Sequence, residues 1–239
     1  MKKAIVVGAS SGIGKELALL LAKNDYKVGI TGRRTALLAE IQQQNPDRFI
    51  SKTFDVTEVK TIPQYLQELV QELGGLDLLV LSSGTGDLNK PLDFAIEKGT
   101  IDVNVSGFTC VADWAFNYFW KQKSGHFANI SSIAGIRGSG IAPAYNATKA
   151  FQINYLEGLR QKATKLKLSI PITDVRPGFV KTDMAKGEGQ FWVAPVDKAA
   201  RQILDAINAK KKVVYVSKRW RIIAWLLRLI PRSVYERMS

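Results

Sequence analysis

The chain has 239 residues, of which 46% are hydrophobic, and it carries a formal net charge of +13. A chain of this length and composition can bury one large core, and α/β folds of this size often form a single domain. Its one cysteine, Cys110, excludes an intrachain disulfide, which fits a reducing cytoplasm. No segment approaches the roughly 20 apolar residues that a membrane-spanning helix needs.

Short apolar runs alternate with helical patterns along the chain. The runs typical of strands cover residues 3–9, 27–32, 48–56, 76–83, 125–132, 168–177 and 212–217. Several of them are almost continuously apolar, as parallel strands covered on both faces are. The alternation predicts an α/β fold, a doubly wound parallel sheet with helices on both faces. We assign residues 1–217 to this single domain and residues 218–239 to a basic amphipathic C-terminal segment.

A glycine-rich turn follows the first predicted strand. The sequence VVGASSGIGKELA places Gly8, Gly12 and Gly14 between that strand and the head of a helix. Glycines allow a tight strand-to-helix turn, and the free N–H groups at a helix N-terminus attract a pyrophosphate. Because the cluster directly follows the first strand, it favours a dinucleotide site over a plain tight turn.

The end of the second predicted strand indicates which dinucleotide binds. A site for NAD usually has an Asp or Glu there, which binds the ribose 2′-hydroxyl. This chain has Gly32 at that position, followed by Arg33 and Arg34. A carboxylate would repel a 2′-phosphate, whereas a guanidinium can bind it through two hydrogen bonds. The pattern therefore favours NADP(H) over NAD(H), the alternative being two solvated arginines on a loop.

A tyrosine and a lysine four residues apart, Tyr145 and Lys149, occur in the sequence AYNATKAF. On a helix they share a face, so the phenol and the ammonium can converge on one substrate. The cation is expected to lower the tyrosine pKa towards the working range of a general acid–base catalyst. Ser132, at the end of the fifth strand, can hydrogen-bond the substrate oxygen. Asn104, on the preceding helix, can hold a backbone carbonyl or a water and so extend a proton path.

Six motifs together resemble the short-chain dehydrogenase/reductase family. They are GASSGIG at 8–14, DV at 55–56, DVN at 102–104, NISS at 129–132, YNATK at 145–149 and RPGFVKT at 176–182. The resemblance covers nearly the whole chain and implies a Rossmann fold. It implies that Tyr145 donates the proton in reduction and that Lys149 modulates its pKa and binds ribose. Ser132 would orient the substrate oxygen, and Asn104 would hold a water of the proton relay.

The resemblance also implies a set of residues that bind NADP(H). They are Gly8, Ser10, Ser11, Gly12, Ile13, Gly14, Arg33, Arg34, Asp55, Val56, Ser83, Gly84, Tyr145, Lys149, Pro177, Gly178, Val180 and Thr182. Asp55 would contact adenine, and Val180 and Thr182 would lie near the nicotinamide carboxamide. The family usually has Asn-Asn-Ala-Gly after the fourth strand, where this chain has Leu-Ser-Ser-Gly at 81–84. Because these residues are small, we expect the ribose still to approach closely.

These features predict an NADP(H)-dependent oxidoreductase that interconverts a carbonyl and a secondary alcohol on an apolar or lipid-like substrate. Residues 187–195 fall where the family places a mobile substrate lid, and Phe191 and Trp192 would either line this lid or serve as core anchors. Two alternatives stay open: a reductase of 3-oxoacyl thioesters on an acyl carrier protein, and a catalytically silent protein that senses dinucleotides. We expect a homodimer or homotetramer in the cytoplasm, with no nucleic-acid partner and, since no ligand cluster has metal-binding spacing, no metal.

The C-terminal end is the most basic part of the chain. Residues 210–239 contain nine Lys or Arg and one acid, Glu236. A helix of about 12 residues is expected to end at Pro231. Its basic side would carry Lys218, Arg221, Arg228 and Arg232. Its apolar side would carry Ile222, Ile223, Leu226, Leu229 and Ile230, with Trp220 and Trp225 at the margins. Such a segment is expected either to pack on the domain or to lie peripherally in a membrane interface.

Overall fold

The computed structural model describes residues 1–184 and 189–238, and within them seven strands form one parallel sheet. Their order is β3-β2-β1-β4-β5-β6-β7. The strands are β1 (Lys2–Val7), β2 (Tyr26–Gly32), β3 (Phe49–Thr53), β4 (Leu78–Leu81), β5 (His126–Ile130), β6 (Ile172–Pro177) and β7 (Val213–Val216). Each overlaps a run predicted from the sequence, and the predicted fold class is confirmed.

Helices connect the strands and follow the last one. They are α1 (Gly12–Lys23), α2 (Thr35–Gln44), α3 (Ile62–Leu73), α4 (Phe94–Ile101), α5 (Phe108–Gln122), α6 (Pro143–Lys165), α7 (Val196–Asn208), α8 (Trp220–Leu229) and α9 (Arg232–Tyr235). A π-helical turn, Asp102–Gly107, joins α4 to α5, and a 3-10 turn, Ile133–Ile136, follows β5. Among the helices of the described residues, none has both the length and the apolar character to cross a bilayer.

Apolar side chains build a separate core on each face of the sheet. One core includes Leu21 of α1 and Ile203 of α7, and the other includes Leu66 of α3 and Phe116 of α5. Helices thus cover both faces, which explains why the central strands are continuously apolar. The strand order reverses between β1 and β4, and a crevice opens at such a point beyond the carboxyl ends of the strands.

The C-terminal segment packs against this same edge of the sheet. Nη1 of Arg137, after the 3-10 turn, donates a hydrogen bond to the Ile230 carbonyl at 3.2 Å. The guanidinium of Arg137 also lies 4.3 Å from the centre of the Tyr235 ring, and the Tyr235 hydroxyl donates to the Gly138 carbonyl at 2.6 Å. These contacts hold α9 and the end of α8 against the segment that follows the 3-10 turn.

Candidate active site

A cleft of about 790 Å³ lies beyond the carboxyl ends of the strands. Its size is that of a cofactor or small-molecule site. The predicted site residues that line it are Gly8, Ser10, Ser11, Gly12, Ile13, Arg33, Arg34, Val56, Ser83, Gly84, Ser132, Tyr145, Lys149, Pro177, Gly178, Val180 and Thr182. Gly14, Asp55 and Asn104 are not part of this lining. The topology therefore brings most of the predicted residues into one cavity.

The glycine-rich turn forms a narrow cradle made of backbone. Gly8 has a φ of 88°, and a Cβ added to it would lie 2.5 Å from the backbone nitrogen of Ser83. A Cβ on Gly14 would lie 2.1 Å from the Gly8 carbonyl oxygen, so Gly14 lets α1 pack closely on the turn instead of lining the cleft. Gly12 begins α1 at the cleft wall. Free N–H groups at this helix N-terminus suit a pyrophosphate, and the cradle fits a dinucleotide.

The side chain of Arg34 is held over this cradle by two hydroxyl groups. Its Nε and Nη2 donate to Ser10 Oγ at 3.1 and 2.8 Å, and Nη2 also donates to Ser11 Oγ at 2.6 Å. A Cβ on Gly32 would lie 3.3 Å from Ser10 Oγ, so an acidic side chain there would compete for the same space. The guanidinium and the two hydroxyls form a preformed anion site in which a 2′-phosphate fits.

Arg33 has a different environment from its neighbour. Its Nη1 lies 3.4 Å from Asp55 Oδ2, and its side chain is 66% exposed. Asp55 also accepts a hydrogen bond from the backbone nitrogen of Thr57 at 2.9 Å, which fixes the loop after β3. An ion pair this exposed is weak. Arg33 is therefore held less firmly than Arg34, although both line the cleft.

The loop after β4 forms the floor of the cleft. A Cβ on Gly84 would lie 3.4 Å from both Asn104 Oδ1 and Lys149 Nζ. A Cβ on Gly86 would lie 2.2 Å from the Tyr145 ring, so this glycine allows the loop to pack directly on the tyrosine. Residues 82–84 are all small and line the cleft, and Ser82 stands where the family usually has an asparagine.

Tyr145 and Ser132, which follows β5, both line the cleft. The nearby Ser132 side chain favours the phenolate and lowers the phenol pKa in part. Part of the tyrosine residue is exposed, but the surrounding protein desolvates the phenol and raises its pKa above the usual 10.0. The predicted lowering of the Tyr145 pKa is therefore wrong for this geometry, because desolvation has the larger effect. A protonated phenol is suited to donate a proton.

Lys149 lies beneath the tyrosine, one helical turn along α6. Its Nζ is 5.9 Å from the centre of the Tyr145 ring and donates to the Ile130 carbonyl at 3.2 Å. Burial lowers the pKa of Lys149 from 10.5 to about 8, although the buried carboxylate of Asp174 opposes this change. The ammonium is thus both buried and close to its titration range.

Gln152 joins Lys149 to Asn104, and the sequence analysis did not identify it. Its Oε1 accepts a hydrogen bond from Lys149 Nζ at 3.1 Å, and its Nε2 donates to the Asn104 backbone carbonyl at 2.9 Å. Asn129 Nδ2 donates to the same Oε1 at 3.3 Å. The spacing of three from Lys149 places Gln152 on the same helical face, and a polar residue there was the signal that could have revealed it.

Asn104 is buried in the π-helical turn and holds the loop after β4. Its Nδ2 donates to the Thr85 carbonyl at 2.6 Å and to Thr148 Oγ1 at 3.1 Å, while its Oδ1 accepts from the Thr85 backbone nitrogen at 3.0 Å. Its side chain therefore positions the cleft floor, and its backbone carbonyl binds the Gln152 amide. Asn104, the predicted relay residue, is thus linked to Lys149 by hydrogen bonds through the Gln152 side chain.

Apolar side chains form the outer part of the cleft. The contributors are Leu88, Ala142, Phe179, Met184, Phe191, Trp220, Ile223 and Leu227. Trp220 is 4% exposed, with its ring centre 4.9 Å from that of Phe191, and a Cβ on Gly178 would lie 2.0 Å from its indole. The prediction that Trp220 lies at the margin of the tail helix is wrong, because it is in the packed face. Of the predicted lid, residues 187 and 188 lie outside the described residues.

Comparisons with known proteins agree with this architecture. The chain matches the family described as short chain dehydrogenase over residues 2–191. An uncharacterized oxidoreductase of Staphylococcus epidermidis is 32% identical over 218 residues, which cover 90% of each chain. An uncharacterized oxidoreductase of Myxococcus xanthus is 34% identical over 188 residues, covering 77% of this chain and 74% of the relative.

Two solved structures share the fold. A short-chain dehydrogenase from Streptomyces avermitilis is 24% identical and superposes with a TM-score of 0.83, covering 95% of this chain and 91% of that one. The protein ElxO with NADP bound is also 24% identical, with a TM-score of 0.79, covering 92% of this chain and 99% of that one. On the family match and the relatives, the chain belongs to the short-chain dehydrogenase/reductase family of oxidoreductases.

Proposed function

We propose that the protein is an NADP(H)-dependent oxidoreductase that interconverts a carbonyl group and a secondary alcohol on an apolar substrate. The observation that carries this proposal is that Tyr145, Ser132 and Lys149 line one cleft whose outer walls are apolar. Lys149 is buried directly below, so three polar groups converge where a substrate oxygen would lie.

Different residues of the cleft would bind different parts of the cofactor. Arg34, with Ser10 and Ser11, would hold the 2′-phosphate, and the turn before α1 would hold the pyrophosphate. Lys149 would bind the ribose next to Gly84, where a Cβ would lie 3.4 Å from Lys149 Nζ. The nicotinamide, when bound, exchanges a hydride with the carbonyl carbon.

Tyr145 completes the reaction by moving a proton. In reduction, the carbonyl oxygen gains an electron pair and accepts the phenolic proton, and in oxidation the phenolate takes the proton back. Ser132 donates a hydrogen bond to the same oxygen and fixes its position. The Lys149 ammonium stabilises the phenolate that forms, which lowers the barrier to proton transfer.

The substrate class follows from the outer part of the cleft. Phe179, Phe191 and Trp220 form an aromatic cluster with ring centres 4.9 to 6.1 Å apart. Ile223 and Leu227 of α8 add an aliphatic wall. Burial of apolar substrate surface against these walls is favourable, so a hydrophobic ketone fits better than a small polar substrate.

Loss of NADPH absorbance against a panel of hydrophobic ketones, quinones, 3-oxoacyl thioesters and long-chain aldehydes tests this function. We expect activity with one of the apolar classes. Tyr145→Phe should abolish turnover and leave NADPH binding nearly unchanged, because the ring still packs on Gly86. Tyr155→Phe is the matched control, since Tyr155 is on the same helix and its hydroxyl contacts Asp113. Turnover preserved in Tyr145→Phe would contradict the catalytic assignment.

A further inference from the structure

Helix α8 carries apolar side chains on two opposite faces. On the packed face Trp220 and Ala224 are buried, and their neighbours Ile223 and Leu227 line the cleft. The other face consists of large apolar side chains that remain exposed: Ile222 by 59%, Trp225 by 61%, Leu226 by 44% and Leu229 by 59%. At 3.6 residues per turn these four positions form one continuous stripe, which we call the α8 stripe.

Basic side chains border the α8 stripe. Arg221 and Arg228, which are two turns apart, share one flank and are exposed. Arg219, at the helix N-terminus, lies with its guanidinium 5.4 Å from the centre of the Trp192 ring. Residues 218–235 contain no Asp or Glu. Every charged side chain within residues 218–235 is therefore basic.

Further exposed apolar side chains lie next to α8, on the segment that leads into α7. Phe191 is 47% exposed and Trp192 is 41% exposed, although both rings contact Trp220 beneath them. Both are therefore anchored by the packed face of α8 and still present apolar surface outward. An exposed apolar patch with a polar or charged rim marks an interaction surface.

We propose that the α8 stripe docks the protein on an anionic lipid bilayer. A short amphipathic helix with tryptophan on its apolar face and arginines on its flanks binds in the plane of such a surface. The apolar residues enter the headgroup region, and Arg221 and Arg228 bind lipid phosphates. A second copy of the chain fits less well, because a two-fold contact that pairs the two stripes antiparallel would bring the same arginines of both copies together.

Flotation of the full chain with vesicles tests this docking without any need for a substrate. Vesicles of phosphatidylglycerol mixed with phosphatidylcholine should bind the protein at low salt, and vesicles of phosphatidylcholine alone should bind it far less. Arg221→Glu combined with Arg228→Glu should lower the partition coefficient by about tenfold or more. Trp225→Ala should also weaken binding, by about fivefold or more, through the loss of its inserted ring.

Matched variants control for charge and for exposed aromatic surface. Lys121→Glu with Lys123→Glu makes the same change in net charge at exposed positions at the end of α5, and Phe94→Ala removes a ring that is 73% exposed. Both should bind vesicles as the wild type does. Absence of binding to anionic vesicles would overturn the proposal, as would equal losses in test and control variants. If the wild type forms a concentration-dependent dimer and Trp225→Ala dissociates it, a second copy of the chain covers the stripe.

Discussion

The two arginines after β2 differ in how they are held, and this difference predicts their effects on cofactor choice. Arg34 is fixed over the glycine-rich turn by Ser10 and Ser11, whereas Arg33 is 66% exposed and pairs loosely with Asp55. Replacing each arginine by alanine in turn removes one cation at almost the same place in the chain. We expect Arg34→Ala to remove most of the preference for NADP(H) and Arg33→Ala to remove little of it.

The size of the effect follows from the strength of the hydrogen bonds involved. A hydrogen bond to a charged group contributes about 1.5 to 3 kcal/mol, which corresponds to about 10- to 150-fold in affinity. The preformed position of Arg34 means that little side-chain entropy is lost when a phosphate binds. An exposed ion pair contributes about 1 kcal/mol or less, so Arg33→Ala should weaken NADP(H) binding less than about fivefold.

Calorimetric titration of each variant with NADP⁺ and NAD⁺ measures this preference directly. The ratio of the two dissociation constants should change strongly in Arg34→Ala, while the constant for NAD⁺ stays within about threefold of wild type, because NAD⁺ has no phosphate at that position. An equal loss for both cofactors would refute the reasoning. It would show that Arg34 only holds the turn in shape through Ser10 and Ser11.

Two further predictions concern the buried polar groups below the cleft. Because the Lys149 pKa is about 8 in the folded protein and 10.5 without burial, the unfolded chain binds more protons between these pH values. Urea unfolding should therefore show the wild type gaining about 3 kcal/mol relative to Lys149→Met as pH rises from 8 to 10.5. Parallel pH curves would contradict this burial effect. Gln152→Leu removes an acceptor from the Lys149 ammonium and should move the alkaline fall in turnover to lower pH, whereas Gln152→Glu should move it to higher pH. Shifts in the same direction would show that Gln152 has only a packing role.

The sheet could be predicted because its signals are local. Apolar runs and the glycines after the first strand depend on residues close together in the chain, and all seven runs overlap a strand. The strand ends were less well predicted. The sixth run was expected at 168–177, but β6 begins at Ile172, because Pro171 lacks the N–H that would extend the ladder. A prediction from apolar composition alone therefore gives a longer strand than the backbone hydrogen bonds form.

The sequence predicted which residues lie in the site more accurately than it predicted their desolvation and hydrogen-bond partners. The spacing of Tyr145 and Lys149 correctly placed both in the cleft, but it could not reveal how strongly the surrounding protein desolvates them. The bridge made by Gln152 depends on Asn104, which is 48 residues away in sequence. Contacts of this kind arise only when α6 packs on the π-helical turn, and no local pattern encodes them.

Because one face of α8 would bind the bilayer and the other lines the cleft, docking would also affect how a substrate reaches the cleft. Leu226 belongs to the exposed stripe and Leu227 lines the cleft, so one helix, about 10 Å in diameter, separates the two surfaces. An interfacial helix is buried by about 5 to 10 Å, so docking through the stripe would place the mouth of the cleft at the lipid headgroups. An apolar substrate dissolved in the bilayer could then enter between Phe191 and α8 without crossing bulk water. The hydrophobic walls of the cleft and the exposed stripe would thus serve the same class of substrate.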